Sequence, residues 1–260
     1  MIKITNLWKH FGKIQVLAGL NLDIEEGETL VIVGRSGIGK SVLLKHIIGL
    51  LKPDQGSIDI HGTRITDLSG PELLKAIQHM GMLFQGSALF DSMTVEENIA
   101  FYLTQHGDPE TGKKMSDKEI AERVDYAIGV VGLQEAHKKM PSELSGGMRK
   151  RAALARLIVY RPKIVLYDEP TTGLDPIIAM QINELIVKTK EELKATSIVV
   201  THDMFSALYV GDRLALIHDG KIAHIAGPDQ FITIDDPMIK QLYGTISLDP
   251  RKLKEKNHHG

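Results

Sequence analysis

The 260-residue sequence predicts an α/β protein with a parallel-sheet core, an antiparallel β subdomain and an inserted α-helical subdomain. Three observations carry that prediction. Residues 1–28 alternate apolar and polar side chains about a turn at Gly12-Lys13, as antiparallel strands do. Between 87 and 160 the apolar spacing becomes helical. Beyond Pro162 strand and helix alternate, "KIVLY", a helix from Pro176, then "SIVVT", which is the rhythm of a parallel sheet.

The elements follow in order. "SIDIHGTRIT" (57–66) is a hairpin turning at His61-Gly62. In the helical stretch, Thr94 with Glu97 and Ser116 with Glu119 have capping-box spacing. After the second box Ile120, Val124, Ala127, Ile128 and Val131 form one apolar stripe, and the polar stretch 104–118 before it is an exposed connection. Asp175 as cap and Pro176 at the first helical position start a further helix. "DPMIKQLYG" (236–244) reads as a short helix with Asp236 at its start and Gly244 at its close. Residues 1–244 therefore form one domain, followed by a charged tail at 245–260.

Composition narrows the function. With 43% hydrophobic and 25% charged residues the chain can bury an ample core. A net charge of −2 gives no basic excess for nucleic acid. Having no cysteine, the chain lacks disulfides, thiolate metal sites and a cysteine nucleophile. No apolar run reaches the roughly 18 residues of a membrane span, and "MIKITNLWKHF" is no signal peptide. A cytosolic protein is expected, able to sit against a membrane through a partner.

The chemistry begins at "GRSGIGKSVLLKH" (34–46), between the apolar strand "ETLVIV" and an amphipathic helix. Gly34, Gly39, Lys40 and Ser41 fit G-x-x-x-x-G-K-[ST], a loop whose N–H groups turn inward on a phosphate while a helix points its positive end at it. Lys40 would meet the outer phosphates and Ser41 would bind Mg²⁺. "KIVLYDEP" (163–170) ends a buried strand in two carboxylates. Asp168 suits a phosphate-bound metal and Glu169 can polarise an attacking water. "SIVVTHD" (197–203) delivers His202 from a third strand end, and open parallel sheets bind ligands at such ends. In "ELSGGMRKRAALARLIVYRP" (143–162), Ser145, Gly146 and Gly147 make a second anion-ready turn opening a helix.

Phosphate loop, "SGG", "YDEP", "GLDP" and "THD", in this order, resemble the signature of the ATP-binding cassette (ABC) ATPases. The resemblance implies a P-loop ATPase with a RecA-like core, and a dimer of two copies sandwiching two ATP molecules. It assigns the phosphates to Gly34, Arg35, Ser36, Gly37, Ile38, Gly39, Lys40 and Ser41, and the metal to Ser41, Gln85 and Asp168. It makes Glu169 the general base and His202 the γ-phosphate sensor. Ser145, Gly146 and Gly147 complete the site of the opposite copy, Asp175 communicates across the dimer, and adenine stacks on Phe11, with Trp8 the weaker match. The backbone cradle does not need the side chains of Arg35 and Ile38. The signature ends in Met148 where glutamine is usual, and methionine cannot make glutamine's hydrogen bonds.

"LSGGM", "FQGSALFDSMTVEENIAF" (84–101), "YDEPTTGLDPI" (167–177) and "DPMIKQLYG" are further similar to the ATPases of Mla/Mce-type lipid transporters. That implies an integral-membrane permease, a periplasmic lipid-binding Mce-type component and a peripheral place at the cytoplasmic face of the inner membrane. Other uses stay open: an ABC ATPase without transport, in cell-division transmission or cofactor assembly, or an importer for a small polar solute. A chromosome or repair ATPase fits poorly, since the stretch between Ser41 and Ser145 is too short for a coiled-coil arm.

Overall fold

A computed structural model describes residues 1–109 and 111–244. The charged tail expected at 245–260 lies outside the described residues. The strands are β1 (Ile2–Phe11), β2 (Ile14–Ile24), β3 (Thr29–Val33), β4 (Gln55–Ile60), β5 (Thr63–Arg64), β6 (Met80–Leu83), β7 (Ile164–Asp168), β8 (Thr196–Thr201), β9 (Arg213–His218) and β10 (Lys221–Ala226). The helices are α1 (Lys40–Ile47), α2 (Gly70–Ile77), α3 (Val95–His106), α4 (Asp117–Val130), α5 (Gly146–Tyr160), α6 (Pro176–Leu193), α7 (Met204–Val210), α8 (Pro228–Phe231) and α9 (Pro237–Tyr243). The described chain divides into two compact units, one made of Met1–Met80 with residues 196–244, the other of Gly81–Ala195.

In the first unit, β3 pairs in parallel with β8 on one side and β9 on the other, and β10 turns back antiparallel along β9. All five residues of β3 are buried, and Leu30, Val31, Ile32 and Val33 expose nothing. A parallel strand covered on both faces requires that continuous apolar run. Leu43, Leu44 and Ile47 of α1 complete this core. The second sheet of the unit, β2-β1-β4-β5, is antiparallel and buries alternate residues, Ile2 with Ile4 and Ile58 with Ile60. The predicted turn at His61-Gly62 joins β4 to β5. The β9–β10 hairpin, which the sequence analysis did not anticipate, turns on Asp219-Gly220 with φ of 46° and 71°. The Gly220 carbonyl accepts the Ala18 N–H of β2 at 2.9 Å, so the hairpin ties the two sheets.

In the second unit, α3, α4 and α5 pack on one another and α5 packs on α6. Both capping boxes form: Thr94 N–H donates to Glu97 at 2.8 Å, and Ser116 N–H to Glu119 at 2.8 Å. Val124, Ala127, Ile128 and Val131 are buried as the stripe requires. The polar stretch 104–118 is less loose than its composition suggests. Its start belongs to α3, and Asp108 turns inward to accept Arg123 Nη2 at 2.7 Å.

The loop between β6 and α3 is stitched by one side chain. Asn98 is wholly buried; its Oδ1 accepts Phe90 N–H at 2.7 Å, and its Nδ2 donates to the carbonyls of Phe90, Met93 and Thr94, each at 3.0 Å. Asn98→Ala strands several of these groups. Since each buried group left unpaired costs about 1–3 kcal/mol, a stability loss of roughly 2–4 kcal/mol is expected in denaturant unfolding. A loss below about 0.5 kcal/mol would show that the loop is held elsewhere.

Candidate functional site

The first unit builds the phosphate loop at the carboxyl end of β3. Gly34 leaves the strand where a Cβ would stand 2.9 Å from Ile217 Cγ2 and 3.0 Å from the Ile217 carbonyl, so only glycine clears β9. Gly39 precedes α1 at φ +108°, and a Cβ there would meet Val16 of β2 at 2.7 Å. Arg35, Ser36 and Gly37 are exposed between them and Ile38 is half-buried. Lys40, the first residue of α1, is 5% exposed, and its Nζ donates to the carbonyls of Gly34 at 2.8 Å and Arg35 at 3.0 Å. The ammonium is thus fixed within the curl of the loop, with Ser41 one residue along the helix.

The start of α1 differs from the other long helices. Side chains of Thr94, Ser116, Ser145 and Asp175 cap α3, α4, α5 and α6, and α2 has a proline and Glu72 in its first turn. Helix α1 has no side-chain cap and no acid in its first turn. Its N–H groups and positive dipole end face the loop, which suits an anion. The cradle therefore fits a phosphate.

Parallel pairing places His202 beside this loop. Val33 is opposite Thr201, so the residues that follow, Gly34 and His202, leave adjacent strands at the same edge. Thr201 Oγ1 accepts Asp203 N–H at 3.0 Å, and Asp203 accepts Phe205 N–H at 3.0 Å and Ser206 Oγ at 2.6 Å. This bonded turn holds His202 exposed. The β1–β2 hairpin that reaches Gly39 through Val16 also carries Phe11. Phe11 is 47% exposed, with Lys9 Nζ 5.6 Å from its ring centroid. Trp8 is committed elsewhere: its indole N–H donates to Asn6 at 2.9 Å and its ring fills the space over Gly19. Phe11 is therefore the available aromatic. Beneath it Lys9 and the His10 N–H hold the Asp54 carboxyl down to about 2.

The second unit assembles Gln85, Asp168 and Glu169. Asp168 ends the buried strand β7 and is 6% exposed; Glu169, 8% exposed, follows at φ +47°. Such left-handed backbone is strained for a non-glycine residue. Thr172 stabilises the turn, its hydroxyl donating to the Glu169 carboxylate at 3.0 Å. The Gln85 side chain is exposed beyond β6, but its carbonyl accepts Lys150 Nζ of α5 at 2.5 Å. Two residues on, Ser87 and Ala88 also take positive φ, 66° and 48°. Arg156 holds this kink by donating to the Ala88 carbonyl at 2.8 Å, with its guanidinium 5.7 Å from the Phe90 ring.

Ser145, Gly146, Gly147 and Asp175 form a separate group in the same unit. Ser145 caps α5, its hydroxyl accepting Met148 N–H at 3.3 Å. A Cβ on Gly147 would lie 2.6 Å from Ile178 Cγ2 of α6, the helix that Asp175 caps. Gly147 is thus a packing glycine as well as part of an anion-ready turn. Sequence reasoning missed Lys150, Arg156, Asn98 and Thr172. Only Asn98, four residues after the cap Thr94, had a local signal.

A family model described as ABC transporter matches residues 17–172. The "probable ribonucleotide transport ATP-binding protein mkl" of Mycobacterium leprae is 39% identical over 254 residues, 98% of this chain and 72% of that protein. The "intermembrane phospholipid transport system ATP-binding protein MlaF" of Haemophilus influenzae is 39% identical over 254 residues, 98% of this chain and 94% of its own. A solved dimeric ATP-binding cassette in a post-hydrolysis state, bound to ADP and phosphate, superposes with TM-score 0.79 at 33% identity, covering 88% of this chain and 99% of its own.

Lys40→Ala tests the cradle. A charge-assisted hydrogen bond to phosphate contributes roughly 1.5–3 kcal/mol, so nucleotide affinity should fall at least about tenfold to a hundredfold by calorimetry. Near-native affinity would remove Lys40 from the site.

Proposed function

The chain belongs to the ABC transporter family, and on that premise we propose that its ATP hydrolysis drives a lipid-transporting permease. It is an ABC ATPase; the lipid cargo is the finer reading. What supports it above all is the MlaF relative, matched across 94% of that protein. The Mla/Mce-type motifs around Met148 and in "DPMIKQLYG" point the same way. Among the described residues no helix is long and apolar enough to cross a membrane. By the likeness to MlaF we put the chain at the cytoplasmic face of the inner membrane, against an integral permease that itself meets a periplasmic Mce-type lipid carrier. The equally similar mkl, named for ribonucleotide transport, favours a second reading in which a polar solute is the cargo.

In this reading ATP is the substrate, held at its phosphates by Lys40 and the backbone of residues 34–41 and stacked on Phe11. Glu169 takes the proton of the attacking water as the oxygen–γ-phosphorus bond forms and the bridge to ADP breaks. His202 donates to the γ-phosphate, and Asp175 and the Ser145–Gly147 turn serve a second copy of the chain. Ser41, Gln85 and Asp168 would hold Mg²⁺, which neutralises phosphate charge. The donor set fits that ion, since Mg²⁺ favours one or two protein oxygens together with substrate phosphates over an all-protein cage. Among the described residues no cluster of three His, Cys, Asp or Glu forms such a cage.

Glu169→Gln removes the base and leaves the cradle. ATP binding should persist, turnover should fall about 10²–10⁴-fold, and gel filtration with Mg-ATP should show a trapped dimer. Normal turnover would place the base elsewhere, His202 being next. Purification from native membranes separates the cargoes: the lipid reading requires a multispanning permease with co-purified phospholipid. A permease whose transport responds to ribonucleotides and not to lipid would favour the second.

Shared sites have their own test. Lys40→Ala and Ser145→Arg subunits should each be inactive alone, yet mixing them should restore Mg-ATP-driven association. Ser145 is preferable to Gly147 for this purpose, because any Gly147 side chain would drive into Ile178.

A further inference from the structure

Lys150 has no part in the chemistry described so far, yet it occupies an unusual place. It lies five residues into the helix that Ser145 caps, on the face turned inward, and is 4% exposed. A lysine is rarely buried to that degree unless its charge is answered. Here Nζ donates to the carbonyl of Gln85 at 2.5 Å and points at that of Phe84 at 3.4 Å. The Phe84 carbonyl also accepts Ser87 N–H at 2.9 Å, so one ammonium and one turn share the same oxygen at the root of the left-handed kink. Burial lowers the pKa of Lys150, while the nearby charges of Asp168 and Glu169 act to raise it. The ammonium therefore stands within the field of both carboxylates and against the main chain of the third metal-side residue.

We propose that Lys150 is a positioning residue that joins the signature helix to the Gln85 loop. The proposal rests on the roles given above to Gln85, Asp168 and Glu169. Two physical consequences follow. The loop carbonyls are held by a charge-assisted bond, which fixes where the Gln85 side chain departs from the backbone. Because α5 is a rigid helix, a displacement of Ser145 by its ligand is carried about 7.5 Å along the axis to Lys150, and so to the Gln85 loop. The signature turn, which serves a second copy, thereby acquires a mechanical link to the metal-side groups of its own copy.

Three full-length variants test this. Lys150→Met removes charge and donors at similar volume, Lys150→Gln keeps a donor without charge, and Lys150→Arg keeps both. Hydrogen exchange of the peptide containing residues 84–90 in nucleotide-free protein reads the tether directly. Calorimetry with ATP in the absence of metal reads the cradle, and Mg²⁺ titration of ATPase reads the metal side. For Lys150→Met we expect faster exchange at 84–90 and metal-free ATP affinity within about twofold of native. The Mg²⁺ half-saturation and kcat should worsen by about 10–100-fold, the range typical for supports of a metal site, with little change in KM for ATP. Arginine should recover most of the loss, and glutamine should recover loop protection more than turnover.

Native exchange and native Mg²⁺ half-saturation in Lys150→Met would overturn the proposal. So would a uniform loss of ATP affinity and melting temperature, which would mark Lys150 as merely structural. If methionine prevents folding, Lys150→Gln is read by its Mg²⁺ half-saturation and kcat, and native values of both would overturn the proposal. The parent reading fails separately, through full hydrolysis in Glu169→Gln, and the exchange result at 84–90 stands independently of it.

Discussion

The loop at the end of β3 depends on a lysine that has been withdrawn from water. Lys40 is almost wholly buried at the first position of a helix, where its charge adds to the positive end of the dipole. Such a place is tolerable because loop carbonyls accept its ammonium, as they can where the chain curls back over it. The rest of the first unit is arranged to permit that curl. β3 is wholly buried, with α7 packed on it, and so ends rigidly at the loop. β9 comes so close at Ile217 that no side chain could stand at position 34. Even the β1–β2 hairpin is pressed onto position 39 through Val16.

The second unit repeats the device with a different outcome. Lys150 is also a buried ammonium aimed at main-chain carbonyls, but it comes from the interior of a helix and reaches a loop distant in sequence. Lys40 shapes its own loop, so its role was visible as a local motif. Lys150, Arg156 and Asn98 shape a loop they do not belong to. Together they hold the backbone from Phe84 to Thr94 through carbonyls and one N–H, leaving the Gln85 side chain exposed.

That contrast explains what could be read in advance. Strand periods, the two capping boxes, the Pro176 helix start and the 57–66 hairpin are contiguous patterns whose physics is local, and the structure contains them all. Asp219-Gly220 had an equally local hairpin signature, now visible as two successive positive φ values, but it lay beyond the motifs that drew attention. The glycines of the signature read as an anion-ready turn opening a helix, and Gly147 is in addition constrained by Ile178, a contact between helices that no spacing rule announces. Phe11, the better match by its place in the chain, also differs from Trp8 in environment: one ring is exposed near a lysine, the other is spent on Asn6 and Gly19.

Trp8 has a use that its structural role conceals. It is the one tryptophan in the chain, and it sits in β1 three positions before the exposed ring of Phe11. Its indole is half-buried and anchored by a single hydrogen bond to Asn6. With no cysteine in the sequence, any introduced thiol would be unique as well. The protein thus carries a built-in fluorophore on the hairpin that leads to the phosphate loop. It also offers a blank surface for one acceptor dye, so distances from that hairpin to any chosen residue can be followed in solution without removing a native side chain's chemistry.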